Sequence, residues 1–597
     1  MSRPERSVTG LASGHRIRPS RVATETEVPT IPGLLEVATS YFDRFARPDL
    51  AMVILEKILE VEPEYAPALT LAGRIAAGQG AEELAETLLT RAIALSPFDA
   101  DPRRHLAALW IGRGRLEESL AILGEAAAVA PREAAVHFEI GTVLVSMGEP
   151  ERAAEAFRAA LARDPRCDRA LRALVVLDME ARRFALAADR YRSLLRREGL
   201  PVRGQFISAG TVGSIRDWCA GHDSPYRVTG AAAGQALYPP RFAGEPEPEV
   251  VMVERPETYV AEIADATVIG GESLVIAGTG EVLWDLAVHP RGDRFDLTER
   301  VLKFAAGGAA LVNAGTTTHR RVDAAVHLLG VSSFNYFHWM IEVLPRLANL
   351  EAAYPETDYA GLPLLVDSAS LAVPQHVAVL RSIVGPAREI IAVEREAALR
   401  VGRLIVPSQL AWLSNNLKDG LEIEAEDVLI SEEAVRFLRD RLTPSDVLRR
   451  RRETRRGTRR IHLVKPVSKR LMNAAELAPV LEKYSLEPVM PERMSVEDQV
   501  RLFADVDVLV CETGAGLTNL VYAPETARVV VMTGSATWRP TWFSQIAGIL
   551  GQSMTYVAGQ VTAPHQKTYQ SCFTIDPAVL DSALAEVLGE PAGQTDG

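Results

Sequence analysis

Cysteine is scarce in this sequence of 597 residues, which contains only Cys167, Cys219, Cys511 and Cys572. These cysteines are widely scattered and show neither a CxxC pair nor the Cys/His spacing of a metal site. The pattern argues against a disulfide framework and favours a reduced, cytoplasmic protein.

Long hydrophobic runs are also absent, since no uninterrupted apolar stretch reaches about 18 residues. We therefore expect no integral membrane segment. The beginning of the sequence lacks the apolar segment of a secretory signal, and we predict a disordered, arginine-bearing tail over residues 1–33. An organellar transit peptide is the alternative, which the acidic residues in this stretch disfavour.

A surplus of positive charge is missing too, because 78 acidic residues outnumber 65 basic ones and give a formal charge of −13. General nucleic-acid binders usually show the opposite balance, so we expect no nucleic-acid partner. The length predicts two to four domains. Abundant arginine and alanine with little lysine favour a GC-rich bacterial source.

The first third of the chain contains a repeat of 34 residues, marked by Pro63, Pro97, Pro131 and Pro165. Glycine permits a tight turn between paired helices, proline ends the second helix, and small residues let two helices approach closely. The glycines and small residues that keep this step are Gly80, Gly114, Gly148, Ala85, Ser119, Ala153, Ala92, Ala126 and Ala160. This is the tetratricopeptide pattern, and it predicts about five repeats over residues 34–200 with the outer copies as caps.

A tetratricopeptide array usually presents a concave face to a protein or peptide, so we expect a protein partner. A spacer or an oligomerisation module is the alternative. The sequence of the array points to no particular ligand.

The rest of the chain has the pattern of an α/β protein. Residues 201–249 are rich in proline and glycine and predict a linker. Two lobes follow, at 250–430 and 431–597, and the second alternates regularly between strands such as IHLV and VLVC and helices such as NAAELAPVLEKY. This alternation predicts a Rossmann-like parallel sheet, which binds ligands at the carboxyl ends of its strands.

The loop CETGAGLTN leaves the strand VLVC at that edge. Gly514 and Gly516 allow the backbone to approach a bound group, and a helix beginning near Leu517 would offer unpaired N–H groups to a phosphate. Asn519 lies near the start of that helix. A structural tight turn is the alternative explanation of the glycine pair.

Three cations, Lys465, Lys469 and Arg470, follow the strand IHLV at the same edge. They could offset the charge that grows on a departing diphosphate. Ordinary solvated loop charges are the alternative. The arginine run from Arg449 to Arg460 lacks interleaved aromatic residues and indicates a solvated segment rather than a nucleic-acid site.

The stretch SSFNYFHWMIEVLPRL places His338, Glu342 and Arg346 at intervals of four residues, on one side of a helix. Pro345 should kink or end that helix. A histidine beside a carboxylate is a candidate general base, with Glu342 as the second candidate. A surface trio of salt-bridged residues is the alternative.

The segment DVD, at Asp505 to Asp507, is similar to a metal-binding DxD motif. That motif normally follows a strand at the active edge, whereas here it precedes the strand VLVC. We therefore reject a metal site at these residues.

Three segments in this order, NYFHWMIEVLPRL, KPVSKRLMNAAEL and MSVEDQVRLFADVDVLVCETGAGLTN, resemble the glycosyltransferase family 61 domain. The resemblance covers about residues 250–590 and leaves the repeat array outside. It implies a GT-B fold, with two Rossmann-like lobes that face each other across a cleft. It also implies inverting transfer from a nucleotide sugar without an essential metal.

The same resemblance assigns candidate site residues. His338 and Glu342 would be catalytic in the acceptor-side lobe, with Arg346 nearby in the cleft. The donor-binding residues would be Lys465, Lys469, Arg470, Asn473, Thr513, Gly514, Ala515, Gly516 and Asn519. The chain departs from the family in having Thr513 where a histidine is common, and Lys465 and Pro466 where Ser-Arg is usual.

From these observations we predict a multidomain protein, with an all-α tetratricopeptide solenoid followed by a GT-B glycosyltransferase. It would move a sugar to a hydroxyl of a protein recruited by the array, such as a flagellin or surface protein, with no cofactor beyond the nucleotide-sugar substrate. One alternative is a transferase of capsule, exopolysaccharide or lipopolysaccharide assembly. The other is a non-catalytic scaffold with a degenerate transferase domain.

Overall fold

The protein divides into two compact units, Met1–Ala173 and Leu174–Gly597. The predicted tail lies outside the described residues except for its last four positions, and the first helix takes in three of these. The structure is a computed structural model that describes residues 30–199, 206–286, 302–306, 308–355, 358–413, 421, 424–447, 449, 457–465, 470–534, 541–563 and 571–589.

Ten helices between residues 30 and 199 form five consecutive pairs, which confirms the predicted repeats. The unit boundary falls inside the ninth helix, so the last pair belongs mostly to the second unit. The helices are α1 Ile31–Asp43, α2 Pro48–Val61, α3 Ala66–Gly78, α4 Glu82–Leu95, α5 Asp101–Gly112, α6 Leu116–Val129, α7 Ala134–Ser146, α8 Pro150–Arg163, α9 Asp168–Glu180 and α10 Phe184–Arg197.

The turns between paired helices explain the periodic glycines. Gly80, Gly114 and Gly148 have φ values of 77°, 71° and 74°, in the left-handed region that favours glycine. One step of 34 residues before and after them, Ala46 and Arg182 have φ values of 48° and 56°. The outer pairs therefore keep the turn without its glycine, which is why their sequence signal is weaker.

The predicted small positions lie at close helix contacts. Ala85, Ser119 and Ala153 are fully buried, and Ser119 donates a hydrogen bond to the Ala107 carbonyl at 3.1 Å. Larger side chains at these points would separate the helices, because interiors are packed without spare volume.

Sixteen strands and six α-helices are described between residues 206 and 442, and all of them except β4 build the first lobe and its connection to the second. The helices are α11 Ile215–Gly221, α12 Tyr336–His338, α13 Arg346–Ala353, α14 Ser368–Leu371, α15 Pro374–Val384 and α16 Glu432–Leu442. The strands are β1 Phe206–Gly213, β2 Tyr226–Gly230, β3 Ala233–Leu237, β4 Arg241–Phe242, β5 Val251–Arg255, β6 Thr258–Ile269, β7 Val275–Ile276, β8 Val282–Leu283, β9 Leu302–Ala306, β10 Ala309–Ala314, β11 Thr316–Leu328, β12 Leu364–Asp367, β13 Ile390–Val393, β14 Ala397–Pro407, β15 Ala411–Leu413 and β16 Val428–Ile430.

The first lobe is organised around a mixed sheet in the order β13-β12-β11-β14-β6-β7-β8-β1-β10-β9, with β2 also paired to β6. Strands β13, β12, β11 and β14 are parallel, whereas β14 and β6 are antiparallel. The carboxyl ends of β11 and β12 therefore lie at one edge, next to helix α12. Strands β6, β7 and β8 form an antiparallel meander.

The predicted linker at 201–249 is wrong for most of its length. From residue 206 onward this segment supplies β1 and β2 to the first sheet and β4 to the sheet of the second lobe. Helix α10 also packs on this part, through Ala187 in a cluster with Ala309 and Leu311. Proline and glycine signal irregular backbone, but they do not exclude strands.

The second lobe contains a parallel sheet in the order β18-β17-β19-β20-β21-β4, which confirms the predicted strand–helix alternation. The chain order reverses between β17 and β19. The elements are β17 Arg459–Leu463, α17 Ala474–Lys483, β18 Glu487–Val489, α18 Val496–Phe503, β19 Val506–Glu512, β20 Arg528–Thr533, α19 Thr541–Ile549, β21 Ser553–Ala558, β22 Gln560–Ala563, β23 Cys572–Thr574 and α20 Pro577–Leu588.

One apolar cluster runs through both lobes of the second unit and includes Val326 and Trp339 from one lobe and Leu509 from the other. Phe337 and Phe543 meet across the boundary with ring centroids 5.2 Å apart. The lobes are therefore joined by direct packing beside helix α12.

The described helices are all too short or too polar to cross a membrane. Each of the four cysteines is a free thiol.

Candidate active site

Two loops meet where the strand order of the second lobe reverses. Lys465 follows the end of β17, and Thr513 follows the end of β19. In parallel α/β sheets such a reversal opens a crevice at the carboxyl ends of the strands, where ligands bind. The predicted basic segment and the predicted glycine loop therefore converge at this crevice.

Two cations share one main-chain oxygen in the crevice. Lys465 donates to the carbonyl of Thr513 at 3.3 Å, and Arg470 donates to the same oxygen. Lys465 Nζ also lies 3.6 Å from the Glu512 carboxylate. Burial lowers the pKa of Lys465, although Glu512 opposes that effect. These contacts exclude the alternative of solvated loop charges for both cations.

Gly514 leaves room for the cations. A β-carbon at this position would lie 2.9 Å from Lys465 Nζ and 3.8 Å from Arg470 Nη2. Its φ of 171° is ordinary extended backbone, so space rather than conformation requires the glycine. A β-carbon on Gly516 would only reach ordinary contact distance, 3.4 Å from Leu463 Cδ1.

The segment after the glycine loop differs from the prediction. Residues Ala515–Tyr522 form a 3-10 helix rather than an α-helix that begins near Leu517. The first hydrogen bond at the start of this helix runs from Leu517 N to Gly514 O at 3.0 Å. The N–H groups of Ala515 and Gly516 lie before this bond, at the start of the helix. A 3-10 helix also begins with N–H groups outside its own bonding, so this tighter turn could still offer donors to an anion.

The His338 stretch is a short helix that changes type before Pro345. Helix α12 continues as a π-turn over Trp339–Val343, in which Leu344 N bonds to Trp339 O at 3.0 Å. Helix α13 begins after Pro345. The predicted interruption by proline is confirmed, because proline has no N–H to continue the helical bonding.

His338 and Glu342 form a hydrogen-bonded pair through Nδ1 of the imidazole. Their side chains are 15% and 10% exposed. A carboxylate only accepts hydrogen bonds, so the hydrogen of the neutral imidazole is held at Nδ1 and the lone pair is left at Nε2. This arrangement leaves Nε2 free of the carboxylate, as a general base requires.

Arg346 was predicted to lie on the same side of a helix as His338 and Glu342, but its side chain is buried inside the lobe. It is 2% exposed and donates from Nε to the Glu342 carbonyl at 3.1 Å and from Nη1 to the Leu329 carbonyl at 2.9 Å. Burial lowers its pKa to about 10, opposed by the carboxylates of Glu342 and Asp367. The alternative interpretation, a salt-bridged trio on the protein surface, is therefore wrong, because Arg346 binds main-chain carbonyls inside the lobe.

Sequence reasoning missed Asp367, which anchors the turn before helix α12. Its buried carboxylate accepts from Ser333 Oγ at 2.6 Å and from the main-chain N–H of Gly330 at 3.1 Å. Within this turn Ser332 adopts a left-handed φ of 62°. A charged residue at the end of the strand LPLLVD was the available signal, because strand ends at this edge carry functional groups.

Two predicted donor-binding asparagines use their amides within the protein. Asn473 pairs with the main chain of Ile575, through Nδ2 to O at 2.8 Å and Oδ1 from N at 3.1 Å. Asn519 is 1% exposed and donates to Gln499 Oε1 at 2.8 Å. Lys469 lies outside the described residues.

Thr513 contributes its carbonyl to the crevice rather than its side chain. The hydroxyl donates to Met532 O at 3.4 Å on the neighbouring strand, and the main-chain N–H bonds to the same oxygen at 3.1 Å. The cations at this point therefore bind an atom that every residue type supplies.

The two predicted halves of the site meet through Tyr336. Its hydroxyl donates to Asn519 Oδ1 at 2.9 Å. Tyr336 lies two residues before His338, and Asn519 lies five residues after Gly514. The imidazole and the glycine loop are therefore parts of one connected arrangement.

The DVD segment lies away from this crevice. Asp507 is at the beginning of β19 and pairs with Arg528 at 2.6 Å, while Asp505 accepts from the Thr458 hydroxyl at 2.8 Å. Both aspartates are at the amino-terminal edge of the sheet, which agrees with their rejection as a metal motif.

Comparison with known families identifies both parts of the chain. Residues 336–530, about a third of the chain, match the family model described as Glycosyltransferase 61, and this range contains the predicted site residues. Residues 111–165 and 138–199 match a tetratricopeptide repeat model. The chain thus joins tetratricopeptide repeats to a glycosyltransferase 61 domain.

Similarity to individual proteins is limited in extent. A stretch of 130 residues is 30% identical to anaphase-promoting complex subunit 7 of Dictyostelium discoideum and covers 22% of this chain and 22% of that relative. The chain therefore spans about a fifth of the length of the curated relative it matches.

Three solved structures are similar to part of this chain. PilF of Pseudomonas aeruginosa is 22% identical with a TM-score of 0.27, covering 29% of this chain and 77% of that one. A thermophilic tetratricopeptide protein of Thermus thermophilus is 23% identical with a TM-score of 0.26 and coverages of 28% and 92%. MamA of Desulfovibrio magneticus is 18% identical with a TM-score of 0.26 and coverages of 28% and 95%.

Proposed function

We propose that the glycosyltransferase 61 domain transfers a sugar from a nucleoside-diphosphate donor to an acceptor hydroxyl, within a GT-B arrangement of its two lobes. The observation that carries this proposal is the convergence of Lys465 and Arg470 beside Gly514 at the strand-order reversal. Such a site offers two cations and open main chain to an anion. A diphosphate has the charge and size to use both.

The donor end of the reaction rests on these cations. Negative charge grows on the diphosphate as the bond to the anomeric carbon breaks, and fixed positive groups stabilise it. Lys465 and Arg470 are held in place by the Thr513 carbonyl before any ligand binds, so little reorganisation is needed. We assign Ala515 and Gly516 N–H groups to the same anion.

The acceptor end rests on His338. Its Nε2 would take the proton of the acceptor hydroxyl while the hydroxyl oxygen attacks the anomeric carbon and the diphosphate leaves from the opposite side. Glu342 would stabilise the imidazolium that forms. A single displacement of this kind inverts the configuration at the anomeric carbon.

Metal independence is part of the proposal, since the two cations occupy the place where charge develops. Transfer should therefore continue at an undiminished rate after chelation with EDTA, whereas a metal-dependent enzyme would stop. The cytoplasmic location that we infer from the free thiols would keep the enzyme with nucleotide sugars.

Tetratricopeptide repeats indicate binding to proteins, and we propose that the array recruits a protein acceptor. Linking a binding array to a transferase increases the effective concentration of the acceptor hydroxyl without altering the chemistry. If a protein retained by the array gains no sugar, a glycan acceptor with the array bound to an assembly partner is favoured instead.

The test is a nucleotide-sugar panel with His338→Ala and Lys465→Ala as variants. Release of nucleoside diphosphate should fall at least about a hundredfold in both, because one loses the base and the other a charge at the leaving group. Lys483→Ala is the matched control, since Lys483 pairs with Asp581 on the surface of the same lobe. Donor binding without turnover in the wild type would instead favour a scaffold.

A further inference from the structure

We propose that the hydrogen bond between Tyr336 and Asn519 positions the His338 imidazole relative to the diphosphate site, so that both are positioning residues. This inference rests on the proposed function. It also changes the role of Asn519, which the sequence placed among the groups that contact the donor.

Tyr336 is coupled to the base through a very short helix. Helix α12 contains only Tyr336, Phe337 and His338, and Asn335 caps it by accepting from Phe337 N at 2.9 Å. The hydroxyl-bearing side chain therefore lies only two positions before the imidazole-bearing one. A shift of Tyr336 moves His338 with it.

Asn519 is coupled to the donor site through the 3-10 helix that starts after Gly514. Both ends of its amide are used, since Oδ1 accepts from Tyr336 at 2.9 Å and Nδ2 donates to Gln499 at 2.8 Å. Gln499 in turn donates to the Pro491 carbonyl at 2.9 Å. The amide is buried and bonds within the protein through both its oxygen and its nitrogen, so it fixes the helix rather than touching the donor.

The bond is suited to this role because its Asn519 end is shielded from water, with Asn519 only 1% exposed. Burial raises the pKa of the Tyr336 phenol, so the hydroxyl stays protonated and remains a donor. Hydrogen bonds shielded from water are stronger and more directional than exposed ones. A displacement of about 1 Å between reacting groups can reduce the rate about a hundredfold, so a fixed register matters for catalysis.

The experiment compares Tyr336→Phe, Asn519→Leu and the double variant in the full chain. We expect kcat to fall at least about tenfold in each, while the Kd for whichever of UDP, GDP or CDP binds the wild type changes less than about twofold. The losses of kcat should not add in the double variant, because both single changes remove the same bond between Tyr336 and Asn519. Tyr359→Phe is the matched control, since that hydroxyl bonds to Glu262 elsewhere in the lobe.

Amide hydrogen exchange of residues 336–344, without ligand, gives a second measurement that does not need activity. Both single variants should increase exchange in this segment to the same extent, and Tyr359→Phe should not. Unchanged exchange, losses of kcat that add in the double variant, or an equal loss of nucleotide affinity would overturn the positioning role. A wild type that binds no nucleotide but shows the coupled exchange would instead refute the proposed function alone.

Discussion

Lys465 Nζ lies 3.3 Å from the Thr513 carbonyl oxygen, so a cation from the loop after one strand is held by the main chain after the neighbouring strand. The contact fixes the ammonium group beside Gly514 before a ligand arrives. A substitution that changes the distance between Lys465 Nζ and the Thr513 carbonyl oxygen should therefore change the affinity for the donor.

Replacing Gly514 by alanine should weaken donor binding at least about tenfold. The new β-carbon would meet Lys465 Nζ at 2.9 Å and force the cation away from its position. Gly221→Ala is the matched control, because a β-carbon there would meet nothing within 4 Å. Titration calorimetry with a nucleoside diphosphate measures both, and equal affinities would contradict the spatial role of Gly514.

Donor affinity should decline at high pH because of Lys465. Burial lowers its pKa, so the ammonium form that binds an anion is lost at a lower pH than for an exposed lysine. Lys465→Arg should remove this decline, since arginine keeps its charge throughout the range. Kd values between about pH 7 and pH 10 test the prediction, with Lys483→Arg as the variant whose profile should match the wild type.

Arg346→Met should destabilise the second unit by about 2–4 kcal/mol. The change removes the buried donors to the Glu342 and Leu329 carbonyls. Arg436→Met serves as the comparison, because Arg436 forms an exposed pair with Glu432 and should cost less than about 0.5 kcal/mol. Calorimetric unfolding measures both, and similar transitions for the two variants would argue against the buried role.

Glycine should stabilise the outer helix pairs at Ala46 and Arg182. Both residues adopt left-handed φ values, which cost an L-residue roughly 1 kcal/mol, more than the chain entropy that glycine adds. We expect a gain of about 0.5 kcal/mol for Ala46→Gly. Ala108→Gly, on the exposed side of α5, should instead lose about 1 kcal/mol. A loss at Ala46 in thermal unfolding would show that the turn tolerates alanine without strain.

The repeats were predictable in detail because each residue type serves a local geometric need. Proline, glycine and small residues act within a single helix pair, so their spacing survives in the sequence. The strand–helix alternation of the second lobe was predictable for the same reason. The strands within residues 201–249 were not predictable, since β4 joins a sheet whose other strands lie more than two hundred residues later in the sequence.

The candidate residues of the site were predictable, but several of their contacts were not. The carboxylate partner of His338 followed from a spacing of four residues. By contrast, Arg346 turned inward to main-chain carbonyls, and Asn519 joined Tyr336 across 183 positions of sequence. Such pairings depend on how two lobes pack, which local patterns do not encode.

The strand β4 has a consequence for synthesis. Arg241 meets Thr555 of β21 across 314 positions. At about 5–20 residues per second, the emerging chain must hold this segment unpaired for roughly 15–60 seconds until its partner leaves the ribosome. Completion of the second lobe is thus delayed until β21 has been synthesised, and a shortened chain that begins after Phe242 would leave the border of that sheet open.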